Sequence, residues 1–491
     1  VSTTIRAEIQ ETPLWRRIGW LTVGEAVART CQVASAILLV GLLAPGEWNV
    51  IALSLSVYFV AVTIGSLNLE HSILFFLPQL EAEQTNRLLR QTVRLLRTSG
   101  LVCAVLILAV QGTTGALGSM TIALCLGIAV ACELPTVVAA PAFIARGEER
   151  SASLWDLTQA LVQFGAIIIP TMLGGGARGI AMGLATAGIF RGASFFFVYR
   201  RFVDGHHVET PGLLRRQILF CAPLGVALAA GVLTRSIDKW LVAWHEPLRV
   251  GIYSIAAFEV PILAVLPYAG GAAIAVSMVS MFRDNRVEDA HTVWWGQARM
   301  MSLIVVPLTV GLVVVAPEVF QILFSDTYKS SVLPFQIFTL IGLHRVTEYG
   351  AVLRAAGRSM EIVYSSVILL TANVVLGFIG LRIHGLVGLT IGSVCAFAIA
   401  WMWMLGRLKN VFQVSLKRVF PWSTWGVCIV VSFATALIAV YVTRGIDEAS
   451  IRLGIKAVVM GVVAGAISIN AMVNRASSED NKNINGEIYS A

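Results

Sequence analysis

Eleven polar residues stand in stretches otherwise rich in Leu, Val, Ile, Ala and Gly, and their types and spacing bound the chemistry open to this chain. Glu25, Arg29 and Gln32 in GEAVARTCQVA are spaced by four and three, so a helix would carry them on one face. LTRSIDKWLVAW, Leu233 to Trp244, brings Arg235, Asp238 and Lys239 together at i, i+3 and i+4. Glu259 opens FEVPILAVLPYAGG just ahead of Pro261 and Pro267, and Glu133-Leu134-Pro135 repeats the Glu-x-Pro arrangement earlier in the chain. Arg191 lies within ATAGIFRGASFFF, and HRVTEYG holds Arg345 and Glu348 three apart. An arginine presents a planar fork of donors that suits phosphates and carboxylates. A carboxyl held in apolar surroundings can serve as a proton carrier. On those grounds Arg29, Arg191, Arg235, Arg345 and Gln32 are candidates for binding an anionic substrate. Glu25, Glu133, Asp238 and Glu259 are candidates for ion coupling.

The elements that must position these residues follow from composition. The chain has 491 residues, of which 57% are hydrophobic and only 13% charged, with a mean hydropathy of +0.79. Soluble domains carry about a quarter of their residues as charges, so the composition excludes most soluble folds. Spanning a bilayer takes roughly 20 apolar residues as a helix. Fourteen stretches qualify, at 18–43, 49–69, 99–117, 120–143, 153–173, 179–199, 217–243, 250–278, 300–323, 332–355, 361–381, 386–406, 421–443 and 452–473. The runs lack the period-two alternation of a membrane strand, so helices are expected and a barrel is not.

Basic residues orient the spans. With fourteen spans and a cytoplasmic amino terminus, 24 of the 36 Lys and Arg lie on the cytoplasmic side, six lie outside, and six fall within spans. That bias obeys the positive-inside rule and places both termini in the cytoplasm. The net charge of +8 therefore reflects topology rather than nucleic-acid binding, and basic loops such as Arg87 to Arg97 suit contact with anionic lipid. All seven cysteines lie within spans and none forms a CxxC pair, so they read as small buried hydrophobes.

A charge inside the membrane is costly and is retained for structure or for function. The structural reading makes Glu25–Arg29 and Arg235–Asp238 neutralised pairs that lock a helix to its neighbour, with Lys239 reaching toward the headgroups. It makes Glu259 a protonated acid in a kinked helix. The functional reading makes the arginines cavity cations with carboxylates as resting counter-ions. Mid-span cations and acids balance, five against five when Lys239 and Glu348 are included, so charge alone does not prove an anionic cargo. Four of the five cations being arginines favours pyrophosphate.

LWRRIGW at 14–20 aligns with LLRRQIL at 213–219, and VIALSLSVYFV at 50–60 aligns with VGIYSIAAFEV at 250–260. These offsets of about 200 suggest a six-helix unit used twice in parallel, followed by two extra helices. The expected organisation is a segment 1–17, a lobe at 18–205, a second lobe at 206–410, two helices at 411–473 and a polar tail at 474–491.

The late charged group TRSIDKWLVAW, the helix-opening EPLRVGIYSIA and LRAAGRS at 353–359 together resemble the polysaccharide transporter branch of the multidrug/oligosaccharidyl-lipid/polysaccharide exporter superfamily. The resemblance spans roughly residues 10–470. It implies an all-α integral membrane protein with two six-helix lobes around a central cavity. It also implies flipping of an undecaprenyl-pyrophosphate-linked oligosaccharide across a bacterial inner membrane by alternating access. Polysaccharide polymerase and export proteins would be neighbours in that pathway. A multidrug antiporter of the same superfamily and a peptidoglycan lipid II flippase are the alternatives. A membrane glycosyltransferase or polymerase is the enzyme-class competitor, although it would ordinarily need a sizeable external loop. There is no P-loop, HExxH or CxxC, so no cofactor is expected and the energy must come from H+, Na+, the membrane potential or the cargo's own gradient.

Overall fold

The computed structural model describes residues 14–80, 82–203, 212–462 and 464–466, and among these every regular element is helical. Ten of the helices are long and apolar enough to cross a membrane, or eleven if the bent pair Pro247–Ala256 and Pro261–Ala275 is one span. Helices apolar around their whole circumference must be solvated by hydrocarbon or by each other. Aliphatic side chains accordingly stay exposed in bands, such as Leu101, Val105 and Leu106 at about 60%. The chain is an all-helical, multi-pass membrane protein. Packing divides it into two units, Val1–Gly251 and Ile252–Ala491.

The first unit holds α1 (Leu14–Leu42), α2 (Pro45–Gly65), α3 (Leu69–Phe76), α4 (Ala82–Thr114), α5 (Met120–Glu133), α6 (Ala139–Ala145), α7 (Glu149–Met172), α8 (Gly176–Phe202) and α9 (Leu213–His245). α8 lies so close to α7 that a Cβ on Gly183 would sit 1.8 Å from the carbonyl oxygen of Ala166. On α8's side toward α5, a Cβ on Gly188 would come within 2.9 Å of Ala129 Cα. Without a hydrophobic drive between helices in lipid, such small-residue contacts are what bring backbones together. α9 is tied in by Gln217, which is fully buried and donates to Ser72 and Thr92 at 2.7 Å each while accepting from Gln91 at 3.0 Å. α9, with which the lobe expected at 206–410 would begin, packs with the first unit.

α2 and α3 form one broken span. Leu67 and Asn68 both take left-handed backbone angles, with φ of 51° and 56°. Side chains other than glycine adopt that region at a cost of about 1–3 kcal/mol. Between α5 and α6 the chain passes through a 3-10 turn, Leu134–Val138, whose Pro135 removes a helical donor. Trp48 and Asn49, just ahead of the first stretch aligned at an offset of 200, meet the backbone where the second begins. Asn49 Nδ2 donates to Leu248 O at 2.8 Å and its Oδ1 accepts from Gly251 N at 2.6 Å. Trp48 Nε1 donates to Gly251 O at 3.2 Å.

The second unit holds α10 (Val250–Ala256, whose first two residues fall in the first unit), α11 (Pro261–Arg283), α12 (Val287–Leu323), α13 (Val332–Thr339), α14 (Tyr349–Ala355), α15 (Ser359–Phe412), α16 (Leu416–Val419), α17 (Trp422–Val442) and α18 (Ala449–Ala466). α15 has 54 residues and covers the stretch expected to hold two spans; it breaks at His384 and Gly385, whose φ of 58° suits glycine. The breaks of the first unit have counterparts here. α10 and α11 are separated by residues 257–260 and bent by 50°, and a 3-10 turn, Leu340–Leu343, precedes α14. α18 docks on α12 through Lys456, whose Nζ lies 2.7 Å from Glu318 and 3.2 Å from Val314 O, with both charged side chains at most 7% exposed.

Candidate functional site

In the first unit three spans meet at one carboxylate, and a fourth reaches its arginine. α5 ends at Glu133 because Pro135 cannot continue its ladder, and the side chain is left at the turn. Arg191 of α8 donates through Nη1 to one Glu133 oxygen, and the Tyr58 hydroxyl of α2 donates to the other. Arg191 Nη2 donates to Gln163 Oε1 of α7 at 2.9 Å. The side chains of Arg191 and Glu133 are only 15% and 14% exposed. Both carboxylate oxygens are thus engaged by donors from other spans, so neither is left open to a ligand.

The second unit repeats the chemistry in a more open setting. Glu259 lies in the irregular segment between α10 and α11, and Arg345 lies in the one between the Leu340–Leu343 turn and α14. Their side chains form an ion pair through Arg345 Nη1, at 42% and 35% exposure. Residues adjoining Arg345 in the chain make further polar contacts. Thr347 donates to Gln297 Oε1 at 2.6 Å, while Gln297 Nε2 is buried without a partner. Trp401 Nε1 donates to the Tyr349 hydroxyl at 2.7 Å, which in turn donates to His344 O at 2.9 Å.

Sequence spacing had placed Arg345 and Glu348 on one helical face. Residues 344–348 are not helical, so the i, i+3 relation does not apply. Arg345 instead meets Glu259, and Glu348 accepts from Arg354 at 2.7 Å.

The remaining candidates lie apart from these two clusters in the hydrogen-bond and ion-pair geometry described. Arg29 and Gln32 are exposed on α1, and the Glu25 side chain falls outside the described residues. On α9, Arg235 is exposed, Lys239 is half-buried and Asp238 is 4% exposed. One turn of helix therefore separates an acid turned into protein from an arginine turned out of it. Of the nine candidates, four come together, and each pair joins a Glu-x-Pro acid to an arginine assigned to the substrate. Two buried polar groups, the first of them in the Glu133 cluster, were not singled out in the sequence. Tyr58 sits in VIALSLSVYFV, where a buried phenol hydroxyl needs a partner. Asn68 is 2% exposed with both side-chain polar atoms unpartnered, beside Ser66, whose hydroxyl accepts from Asn68 N at 3.2 Å. It lies at the end of the stretch 49–69 that qualifies as a span by its sequence. Among the described residues no cluster of His, Cys, Asp and Glu could hold a metal ion.

No protein-family model matches the chain, and no curated protein matches it by sequence. Solved structures do match its fold. The lipid II flippase MurJ in an inward closed conformation superposes with a TM-score of 0.68 at 14% identity, covering 91% of this chain and all of that one. An inward-facing multidrug resistance MATE family transporter of the MOP superfamily gives 0.59 at 13% identity, covering 80% of this chain and 99% of that one. A MOP superfamily transporter from Pyrococcus furiosus, titled for the reverse polarity of its binding pocket, gives 0.54 at 15% identity over 80% and 94%. At these identities the likeness establishes the fold.

Proposed function

We propose that the chain is a flippase that carries an undecaprenyl-pyrophosphate-linked oligosaccharide across a bacterial inner membrane by alternating access, in the synthesis of an exopolysaccharide, capsule or O-antigen. In this reading the amino terminus, the tail and the even-numbered loops are cytoplasmic, as the distribution of basic residues requires. The fold is shared with a lipid II flippase and with multidrug transporters. What supports the lipid-linked anion over a cationic drug is the pairing of each Glu-x-Pro acid with an arginine. A site for cationic drugs needs an acid open to its ligand, and both oxygens of Glu133 are occupied by Arg191 and Tyr58.

The pairing also supplies a coupling step. While Glu259 is ionised it neutralises Arg345 and holds it in place. A proton taken up by Glu259 removes that competitor, and the guanidinium becomes available to a phosphate oxygen. Release of the proton restores the carboxylate, which then competes the phosphate away. The two helix breaks let this exchange happen at exposed backbone, as broken helices do in transporters. Arg29 and Arg235, exposed on the first helices of the two aligned repeats, are proposed to engage the pyrophosphate and the adjoining sugar.

The test is reconstitution of the full chain in vesicles loaded on one face with a polyprenyl-diphosphate oligosaccharide, with translocation read by a sugar-cleaving enzyme on the other face. Arg345→Ala should slow translocation by about tenfold or more, the loss of one charge-assisted contact of roughly 1.5–3 kcal/mol. Glu259→Gln should leave a rate that no longer responds to an imposed pH gradient. Full activity in Arg345→Ala, with coupling unchanged in Glu259→Gln, would refute this assignment.

A further inference from the structure

Beyond the cargo pathway, the second unit carries a cavity of about 800 Å³ where the ends of α12 and α17 meet α16. Its lining combines Lys417, Arg418 and His291 with the rings of Trp295, Phe420 and Trp422, the latter two bracketing Pro421. No Asp or Glu lines it. The turn that presents the two cations is built rather than incidental. Trp422 Nε1 donates to Leu416 O at 2.9 Å, and His291 Nε2 donates to Arg418 O at 3.1 Å, which leaves the Lys417 and Arg418 side chains exposed at the rim. Rings of Phe420, Trp401, Trp422 and Trp425 pack at centroid distances of 5.1–6.2 Å behind it. Tryptophan belts of this kind sit at the headgroup level of a bilayer.

A second hollow, of about 280 Å³, adjoins the first through Ser423 and runs along α17 between Leu303, Thr424, Val427, Cys428 and Val431. It is almost wholly apolar, and Val427 and Val430 on the same helix are 62% and 69% exposed. A cationic cradle at the membrane–water boundary that opens into an apolar furrow along a spanning helix matches one kind of molecule. The headgroup end needs a negative charge, and the other end needs hydrocarbon. Two full positive charges with the hydroxyls of Thr292 and Ser423 suit a monoanionic phosphodiester bearing hydroxyls.

We infer that this cavity binds an anionic glycerophospholipid of the surrounding bilayer, its phosphodiester held by Lys417 and Arg418 and one acyl chain laid along α17. The site belongs to the leaflet at the α16 end of the helices, which is the cytoplasmic one under the topology proposed above. It would couple α17, which lines both hollows, to the lipid composition of the membrane.

The experiment uses the purified full chain in detergent, with retention of phosphatidylglycerol against phosphatidylcholine read by native mass spectrometry. Two basic groups beside an anionic headgroup are worth on the order of tenfold in retention. The unmodified chain should show that preference for phosphatidylglycerol. K417Q/R418Q should reduce it to about twofold or less, whereas R283Q/R286Q should keep it; these two arginines lie at the same end of the helices but outside the cavity. Free glycerol phosphate added to the unmodified chain, a measurement that needs no variant, should fail to displace the lipid. Equal loss in both double variants would mean a diffuse surface charge, and displacement by glycerol phosphate would mean a plain anion site. Either result overturns the proposal, as would the absence of a preference in the unmodified chain.

Discussion

The Glu133–Arg191 pair allows an energetic test that does not depend on knowing the cargo. Arg191→Met removes the guanidinium and leaves the Glu133 carboxylate with Tyr58 as its remaining donor among the contacts described. Breaking a buried ion pair from one side costs about 3–5 kcal/mol, because the other charge stays desolvated. Each side chain keeps about 15% exposure, so the lower end of that range is expected, near 3 kcal/mol. Glu133→Gln leaves Arg191 with Gln163 and with a neutral amide, at an expected cost of about 2 kcal/mol. In the double variant neither charge is stranded, so the two losses should not add. A total near 3 kcal/mol rather than 5 gives a coupling energy of about 2 kcal/mol. The assay is equilibrium unfolding of all four proteins in mixed micelles, followed by tryptophan fluorescence. Losses that add to within about 0.5 kcal/mol would refute the claim that these groups act on each other.

Leu67→Gly should raise stability by about 1 kcal/mol, since it relieves a left-handed backbone at a side chain that is 47% exposed and packs little; unfolding midpoints in the same micelles check it. Gly183→Val should cost more than about 3 kcal/mol or abolish folding, because its Cβ would overlap the Ala166 carbonyl at 1.8 Å; the fraction recovered as a monodisperse protein measures this. For topology, in a chain freed of its seven cysteines, a thiol probe added outside intact cells should label cysteines at Thr113 and Ser330 but not at Glu288, all of them exposed positions. Thr85 would be a poor choice for the inner side because it is only 7% exposed. Labelling at Glu288 would invert the orientation and the leaflet assigned to the lipid site.

The sequence by itself determined the class of this protein. Helices that are apolar on every side have no stable home in water, and that property is additive along the chain, so composition and run length sufficed. It also exposed which residues were unusual, since an arginine amid GIFRGAS is conspicuous wherever it points. Direction and partnership were another matter. The i, i+3 reading of Arg345 and Glu348 assumed an unbroken helix, whereas Leu340–Leu343 tightens to a 3-10 turn and residues 344–348 leave the helix altogether. Nothing local announces that break, because HRVTEYG contains neither proline nor a run of glycines. On α9 the same charged triplet that shares a face on paper is split between an exposed Arg235 and a buried Asp238, because the boundary between protein and surroundings cuts the face. Glu133 finds Arg191 across 58 residues and Tyr58 across 75, and Glu259 finds Arg345 across 86. Helical periodicity reaches only about a turn, so those encounters were decided by tertiary packing: by glycines such as Gly183 and Gly188 that let α8 close on α7 and α5, and by breaks that turn an acid out of its own helix toward a cation on another.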